Sequence, residues 1–218
     1  MLRASIDLGT NTCLLLLAEF ESGQIKKVSG DYARIIRLGE GVDQTQSLQP
    51  EAIERTFMCL TEYKSIISEA GISSGDVVCV ATSQARDASN GEAFFDKVEA
   101  ECGLRFRVLS REDEARLSFM GSLLPGMDPS HYAVVDVGGG STEFVTAKED
   151  RSVDLGSVRF TERYLGSDSV TDEEFIKCLD KIDNKLEELE GWRSSIPVDM
   201  QMLAVAGTAT TLASWHLE

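Results

Sequence analysis

A short pattern occurs twice in the chain, and this repeat constrains the fold more than any other feature. Residues 4–17 align with residues 133–146 at a constant offset of 129. In both copies an apolar run is followed by Asp, an apolar residue and Gly. A polar tip comes next, and a second strand-like run follows it. A repeated supersecondary unit predicts two similar half-molecules, and we expect them to face each other across a cleft.

Each copy predicts a β-hairpin whose tip is accessible backbone. The tips consist of Gly9, Thr10, Asn11 and Thr12 in the first hairpin and of Gly138, Gly139, Gly140, Ser141 and Thr142 in the second. Amide groups that no side chain obstructs can surround a phosphate, and consecutive glycines weaken a strand unless the backbone itself is used. A plain tight hairpin is the alternative, and for the first tip the two readings are evenly balanced.

Further polar groups accompany these hairpins. The turn 207–210, with Gly207 and Thr208, follows a predicted strand and precedes a predicted helix, where anions are favoured. Asp7 and Asp136 stand at the strand ends beside the two tips, where a carboxylate can hold Mg²⁺. The alternative for each Asp is a side chain that caps a tight turn.

The remaining pattern alternates between strands and helices, which predicts an α/β protein. We expect a helix from Pro50 to Gly71, strands at 77–81 and 106–109, and helices capped by Asn90 and Ser110. A further helix, capped by Thr171, should bury apolar residues, which are Phe175, Leu179, Ile182, Leu186 and Leu189. The Pro/Gly cluster at 125–129 predicts a boundary between domains 1–124 and 125–218, the second of which we expect to be incomplete.

Composition excludes several classes of function. The 218 residues carry 37 acidic and 21 basic side chains, a net charge of −16 that argues against nucleic-acid or anionic-membrane binding. Two histidines and five scattered cysteines give no basis for a zinc site, a Ser-His-Asp triad or a disulfide framework. Without a membrane span or a signal peptide, we expect a cytoplasmic protein.

Five segments, in their order and spacing, resemble the exopolyphosphatase and guanosine pentaphosphate phosphohydrolase family. They are residues 6–12, 81–86, 112–117, 135–143 and 207–212. The resemblance implies an α/β protein of the actin-like (ribonuclease H-like) fold, with duplicated domains and a cleft between them. It also implies a hydrolase that uses Mg²⁺ to remove the terminal phosphate of inorganic polyphosphate or the 5′ γ-phosphate of guanosine pentaphosphate.

The resemblance assigns roles to individual side chains. Glu114 matches a catalytic glutamate that activates water, and Arg86 matches an arginine of the phosphate site. Asp136 and Glu143 match acids linked to the metal and the water, so that Asp7, Asp136 and Glu143 are the predicted metal ligands. Without the resemblance, Glu114 is interpreted as a helix first-turn acid and Arg86 as an exposed loop residue.

Two other functions stay open at this stage. A non-catalytic sensor could bind polyphosphate or guanosine tetra- and pentaphosphate without turnover, and an ATP-dependent kinase of the same superfamily would need an acceptor.

A chain with a net charge of −16 should also repel a polyanion, so Mg²⁺, amides and arginines must reverse the potential locally. The sequence does not settle the oligomeric state, a homodimer included, or which arginines converge.

Overall fold

Residues 1–217 are described by a computed structural model, in which the chain forms two compact units. Unit 1 runs from Met1 to Leu109 and unit 2 begins at Ser110. The strands of unit 1 form one sheet in the order β3-β2-β1-β4-β5, and they are β1 Leu2–Leu8, β2 Thr12–Glu21, β3 Gln24–Ile35, β4 Val77–Ala81 and β5 Phe106–Val108. Strands β1, β2 and β3 are antiparallel neighbours, whereas β4 is parallel to β1 and to β5.

The helices of unit 1 are α1 Val42–Thr45, α2 Pro50–Glu69, α3 Ser83–Asp87 and α4 Gly91–Cys102. Helix α2 begins with Pro50 at its first turn, as expected for a residue that lacks an N–H. Its buried side chains recur at helical spacing and include Leu60, Tyr63 and Ile67. The Tyr63 hydroxyl donates to the Cys13 carbonyl oxygen at 2.9 Å, which ties the helix to β2.

Asn90 does not cap helix α4 in the way its sequence position predicts. It stands at the N-cap, but its side chain makes no hydrogen bond to the helix. Its Oδ1 instead accepts from the Leu48 amide at 2.8 Å, and its Nδ2 donates to the Leu48 carbonyl at 3.0 Å. The side chain therefore fastens a preceding loop to the start of α4.

Unit 2 contains a sheet in the order β8-β7-β6-β9. Its elements are α5 Arg111–Ser122, β6 Tyr132–Val137, β7 Thr142–Thr146, β8 Asp150–Val153, α6 Ser157–Tyr164, α7 Asp172–Glu187, α8 Glu190–Ser195, β9 Gln201–Val205 and α9 Ala206–Leu217. Strand β6 is antiparallel to β7 and parallel to β9. No helix in the described part of the chain has the length and apolar character needed to cross a bilayer.

Helix α5 sets the boundary between the units earlier than the predicted one after residue 124. The helix packs its buried Ala115 and Phe119 against Val134 of β6 and Val145 of β7. A Pro/Gly cluster marks a place where the chain can turn, but the apolar surface of α5 is buried on the sheet that follows it. Helix α5 therefore belongs to unit 2.

The two sheets confirm that the sequence repeat is a structural repeat. The order β3-β2-β1-β4 in unit 1 corresponds to β8-β7-β6-β9 in unit 2. The register agrees as well, because Leu8 pairs with Cys13 in unit 1 and Val137 pairs with Thr142 in unit 2. Both hairpins therefore place their tips at equivalent positions.

The prediction for helix α7 is right about its start and largely wrong about its burial. Thr171 and Glu174 form a reciprocal capping box. Phe175 and Leu179, expected inside, are 54% and 45% exposed, and Leu186 is exposed as well. Of the predicted apolar set only Leu189, which lies beyond the helix, is buried. Periodicity shows which side chains share a face, but not whether another element covers that face.

Strand β9 passes into helix α9 without the predicted turn, so residues 207–210 belong to the helix. The junction residue Ala206 has a φ of 68°, in the left-handed region that a Cβ disfavours.

We expect Ala206→Gly to raise the free energy of unfolding by about 0.5–1 kcal/mol, because glycine adopts this conformation without steric cost. Urea unfolding followed by circular dichroism measures the change. The matched control is Ala209→Gly, which lies within α9 and should lower stability by about 1 kcal/mol. A loss of stability in both variants would contradict the strain at Ala206.

Candidate functional site

The same backbone hydrogen bond closes both hairpin tips. The Gly9 amide donates to the Thr12 carbonyl at 3.0 Å, and the Gly138 amide donates to the Ser141 carbonyl at 3.0 Å. A Cβ at Gly9 or at Gly138 would approach the accepting carbonyl oxygen to 3.1 Å, which is tighter than most Cβ contacts. Glycine thus permits the close turn at both positions of the repeat.

In unit 1 the carbonyl groups of the tip are bonded to the segment that follows β3. The Asn11 carbonyl accepts from the amides of Ile36 and Arg37 at 2.9 and 3.0 Å, and the Thr10 carbonyl accepts from Gly39 at 2.9 Å. The C=O and N–H of a trans peptide unit point in opposite directions, and residues 1–217 contain no cis peptide bonds. The amides that follow these carbonyls, those of Asn11 and Thr12, therefore point away from this segment.

In unit 2 the corresponding carbonyl groups are bonded to the start of helix α6. The Gly138 carbonyl accepts from the Ser157 amide at 2.9 Å, and the Gly139 carbonyl accepts from the amides of Val158 and Arg159 at 2.9 and 3.1 Å. The Gly140 carbonyl accepts from Nε of the buried Arg159 at 2.7 Å.

By the same peptide geometry, the amides of Gly139, Gly140 and Ser141 point away from α6. Three successive amides that point away from the same helix are available to an anion, and we call them the amide nest of unit 2.

Glu143 is the most deeply buried acid beside this nest, with 2% of its surface exposed. It lies on β7 directly opposite Asp136 of β6 and Ser152 of β8. Ser152 donates to its Oε1 at 2.9 Å, and the hydroxyl groups of Ser141 and Ser152 both act to lower its pKa. Burial, followed by repulsion from Glu114 and Asp136, raises the pKa of Glu143 to about 7 in spite of these hydroxyl groups.

Helix α5 brings Glu114 to the same place. Its N-cap Ser110 accepts from the Asp113 amide at 3.1 Å, as the sequence predicts, and Glu114 lies in the first turn. One turn later Ser118 donates to Oδ2 of Asp136 at 2.6 Å. The charge of Glu114 raises the pKa of Glu143, so the two carboxylates lie within range of electrostatic repulsion. Unit 2 thus assembles a cluster of three predicted site residues, Glu114, Asp136 and Glu143, which we call the acidic cluster.

The third predicted phosphate loop also lies in unit 2. Gly207 and Thr208 occupy the first turn of α9, where amides at a helix N-terminus are exposed to a ligand. The preceding strand residue Val205 pairs with Asp136 in the parallel register of β9 and β6. The start of α9 therefore follows β9 at the end of the sheet where Asp136 stands.

The other predicted residues are in unit 1. Asp7 lies near the end of β1, two residues before the first tip. Arg86 lies in α3, and its Nη1 donates to the Leu109 carbonyl at 2.8 Å, so part of its guanidinium group has a structural role. A Cβ at Gly39 would lie 2.4 Å from Cγ2 of Thr10, which shows how closely the segment after β3 approaches the first tip.

Sequence reasoning missed the serines that hold the acids. Ser118 follows Glu114 by one helical turn, and this spacing is a usable signal once Glu114 is singled out. Ser152 depends on β8, whose four residues, Asp150–Val153, have no strong strand pattern and were not predicted as a strand. Gly156, where a Cβ would lie 2.4 Å from backbone atoms of Gly139 and Gly140, was missed because this close contact comes from tertiary packing.

Within residues 1–217, no group of three or more His, Cys, Asp or Glu side chains is arranged as a metal site. Asp136 and Glu143 do provide two carboxylates on neighbouring strands. Mg²⁺ is commonly bound by one or two carboxylates together with water and substrate phosphates, so this oxygen donor set is chemically suited to it.

A sequence model described as the Ppx/GppA phosphatase family matches residues 17–216. The chain belongs to this family. Among Ppx/GppA-related proteins, exopolyphosphatase 2 of Mycobacterium tuberculosis is 36% identical over 97% of this chain and 69% of its own length. A bifunctional 3-dehydroquinate synthase/phosphatase of Fusobacterium nucleatum is 36% identical over 98% of this chain, which spans only 34% of that relative.

A solved Ppx/GppA structure confirms the predicted fold class. The Aquifex aeolicus PPX-GPPA enzyme is 33% identical and matches 100% of this chain and 71% of its own, with a TM-score of 0.76. The α/β units with equivalent strand order are thus the duplicated, actin-like arrangement expected from the sequence.

We expect Gly156→Ala to disturb the second tip, because its Cβ would lie 2.4 Å from backbone atoms of Gly139 and Gly140. Such overpacking against backbone should lower the free energy of unfolding by about 1–3 kcal/mol. Urea unfolding measures this loss. Gly166→Ala is the matched control, since a Cβ there meets nothing within 4 Å. Equal stability of the two variants would contradict the packing described for Gly156.

We also expect Glu143→Gln to change the pH dependence of stability. The folded protein holds the Glu143 proton more tightly than the unfolded chain, because the pKa rises from 4.5 to about 7. Below pH 4.5 the group is protonated in both states, and the stability that it contributes is fully present. As the pH rises to about 7 the unfolded chain ionises more readily than the folded protein, so the free energy of unfolding falls. Glutamine cannot ionise, so above this range the variant should gain up to about 3 kcal/mol relative to the wild type.

Urea unfolding at a series of pH values, without divalent cations, measures this difference. The control is Glu173→Gln, which removes an exposed carboxylate in α7 and should leave the pH profile parallel to that of the wild type. A wild-type profile that parallels Glu143→Gln throughout the range would show that Glu143 is not buried as described.

Proposed function

We propose that the protein hydrolyses terminal phosphoanhydride bonds. The substrate is inorganic polyphosphate, guanosine pentaphosphate, from which the 5′ γ-phosphate is removed, or both. The observation that carries the proposal is the acidic cluster beside the amide nest of unit 2. A nest that binds an anionic phosphoryl group and a carboxylate that can orient water are the two components this reaction needs.

The nest would bind the terminal phosphoryl group. The amides of Gly139, Gly140 and Ser141 are fixed because their neighbouring carbonyls are bonded to α6. Fixed amides stabilise charge on phosphoryl oxygens without a further cost of reorganisation. The amides at the start of α9 are proposed as additional phosphate-binding groups of unit 2. The first tip and Arg86 are proposed as phosphate-binding groups of unit 1.

Glu114 is the proposed general base. It lies on a helix whose N-terminal turn is fixed by Ser110, and its charge acts on Glu143. Its carboxylate would accept a proton from a water molecule as the water oxygen bonds to the terminal phosphorus. The bridging oxygen leaves with the shortened substrate. Each cleaved P–O–P linkage therefore consumes one water and yields one inorganic phosphate and a substrate shorter by one phosphate.

Mg²⁺ is the proposed cofactor, with Asp136 and Glu143 as its ligands in unit 2. Asp7, in unit 1, stays a separate prediction from the sequence. When bound, a divalent cation neutralises charge that develops on phosphate oxygens. Asp136 and Glu143 are held by Ser118 and Ser152, so both carboxylates are oriented before any ligand arrives.

Exopolyphosphatase 2 of M. tuberculosis, with which the chain shares 36% identity, supports polyphosphate as the first substrate to test. Guanosine pentaphosphate offers the same terminal phosphoanhydride chemistry. A net charge of −16 should make the reaction sensitive to ionic strength, because the protein as a whole repels both substrates.

We expect Glu114→Gln to reduce phosphate release at least about 100-fold while substrate binding is kept, because the amide cannot accept the water proton. Phosphate release from polyphosphate and from guanosine pentaphosphate with Mg²⁺, together with a binding measurement, tests this. Glu112→Gln, an exposed acid in the same helical turn, is the matched control and should stay close to the wild type.

Tight binding without release by the wild type would favour a sensor over a hydrolase. ADP formation from ATP that requires an acceptor would favour a kinase. Equal activity of Glu114→Gln and the wild type would remove Glu114 from the reaction.

A further inference from the structure

Two polar side chains of helix α5 bond it to the sheet of unit 2, one on each side of Glu114. Ser118 donates to Oδ2 of Asp136 on β6 at 2.6 Å. Arg111 donates from Nη2 to Oδ1 of Asp154, just after β8, at 3.0 Å. Glu114 follows Arg111 by three residues and precedes Ser118 by four, so all three side chains lie on one face of the helix.

Apolar packing alone does not fix the position of this helix. Ala115 and Phe119 bury their side chains against Val134 and Val145. Such packing holds α5 on the sheet, but the hydrophobic effect has no directional component that would stop a small slide or rotation. Hydrogen bonds depend on distance and angle, and two of them at separate points along a helix define both its rotation and its translation.

The acids of the site also oppose the docking of α5. Glu114, Asp136 and Glu143 are near enough to interact electrostatically, and like charges in a poorly solvated place repel. The two side chains also act on groups of the site, Ser118 directly on one of the acids and Arg111 through a serine that binds another. Ser118 satisfies an oxygen of Asp136, while Arg111 also approaches Ser152, the donor to Glu143, with its Nη1 at 3.5 Å from the serine Oγ.

We propose that Ser118 and Arg111 are positioning residues that fix Glu114 relative to Asp136 and Glu143. This inference rests on the proposed hydrolase function, to which it adds a role for two side chains that touch no reacting atom. Their effect is on geometry, and a displacement of a reacting group by about 1 Å can reduce a rate about 100-fold. Ser118 gives the cleaner test because it carries no charge.

We expect Ser118→Ala to lower kcat for phosphate release about 10- to 100-fold, with KM changed less than about 3-fold. Ser118→Thr keeps the hydroxyl and should restore kcat to within about 5-fold of the wild type. The matched control is Ser122→Ala, which removes a similarly half-buried hydroxyl that bonds to the Ser118 carbonyl in the last turn of α5. Its kcat should equal that of the wild type.

The decisive comparison repeats Ser118→Ala in the Glu114→Gln background. If Ser118 acts by placing Glu114, its substitution has little further effect once the carboxylate is gone, because residues that act as a unit are not additive. A fall by the same factor in both backgrounds would overturn the proposal, as would a kcat for Ser118→Ala equal to that of the wild type.

A second measurement does not depend on turnover. Hydrogen–deuterium exchange of amides 111–118 should be faster in Ser118→Ala than in the wild type, and close to the wild type in Ser122→Ala. If the wild type releases no phosphate, the hydrolase proposal fails, and exchange still decides whether Ser118 anchors the helix. Unchanged exchange in Ser118→Ala would overturn the positioning role by itself.

Discussion

The burial of the Glu143 carboxylate is the constraint around which unit 2 is organised. A carboxylate with 2% exposure has lost most of its hydration, and two further acids nearby add repulsion. Ser141 and Ser152 replace part of the lost water, and the register of three neighbouring strands places Ser152 and Asp136 on either side of it. A protein keeps such an arrangement only if surrounding packing offsets its cost. In unit 2 this packing includes the apolar contact of α5 with β6 and β7.

Comparison of the two copies of the repeat shows how the hairpin of unit 2 differs from that of unit 1. The position of Glu143 on β7 corresponds to Leu14 on β2, and Asp136 corresponds to Asp7. Both hairpins keep the closing Gly amide bond and both have tip carbonyls bonded to the segment after the third strand. The backbone hydrogen-bond pattern of the tip is therefore present twice in residues 1–217, whereas the Asp–Glu pair on the two hairpin strands is present once. Among residues 1–217, unit 2 alone combines an amide nest with the Asp–Glu strand pair.

Local signals explain which parts of the fold the sequence could predict. The hairpins, helix α2, strand β4 and the caps at Ser110 and Thr171 each depend on neighbours in sequence, so pattern and turn chemistry suffice. Strand β8 and helix α6 were missed because their short, polar sequences gain their structure from pairing with β7 and from bonding to the second tip.

The site shows the same division between local and tertiary information. The two tips were singled out because their residues form motifs, whereas Glu114 was singled out by the resemblance, and the roles of both stay predictions. Ser118 and Ser152 contact the acids only because α5 lies at one particular place on the sheet and β8 pairs in one particular register. Asn90 gives the opposite example, since a residue with strong capping preference is used for a tertiary contact with Leu48 instead. Sequence patterns thus identify candidate site residues, whereas tertiary contacts determine which other side chains form hydrogen bonds with them.

The overall charge adds a further physical requirement to the proposed chemistry. A chain of net charge −16 offers a polyanion no long-range attraction, so binding must come from groups that act at short range. Backbone amides meet this requirement because their partial charges are fixed and need no counter-charge from a side chain. The buried Arg159 contributes indirectly, since its bond to the Gly140 carbonyl helps to turn the following amide of Ser141 towards a ligand. A cation in this position supports the nest through the backbone, and the anion site can therefore exist within an acidic protein.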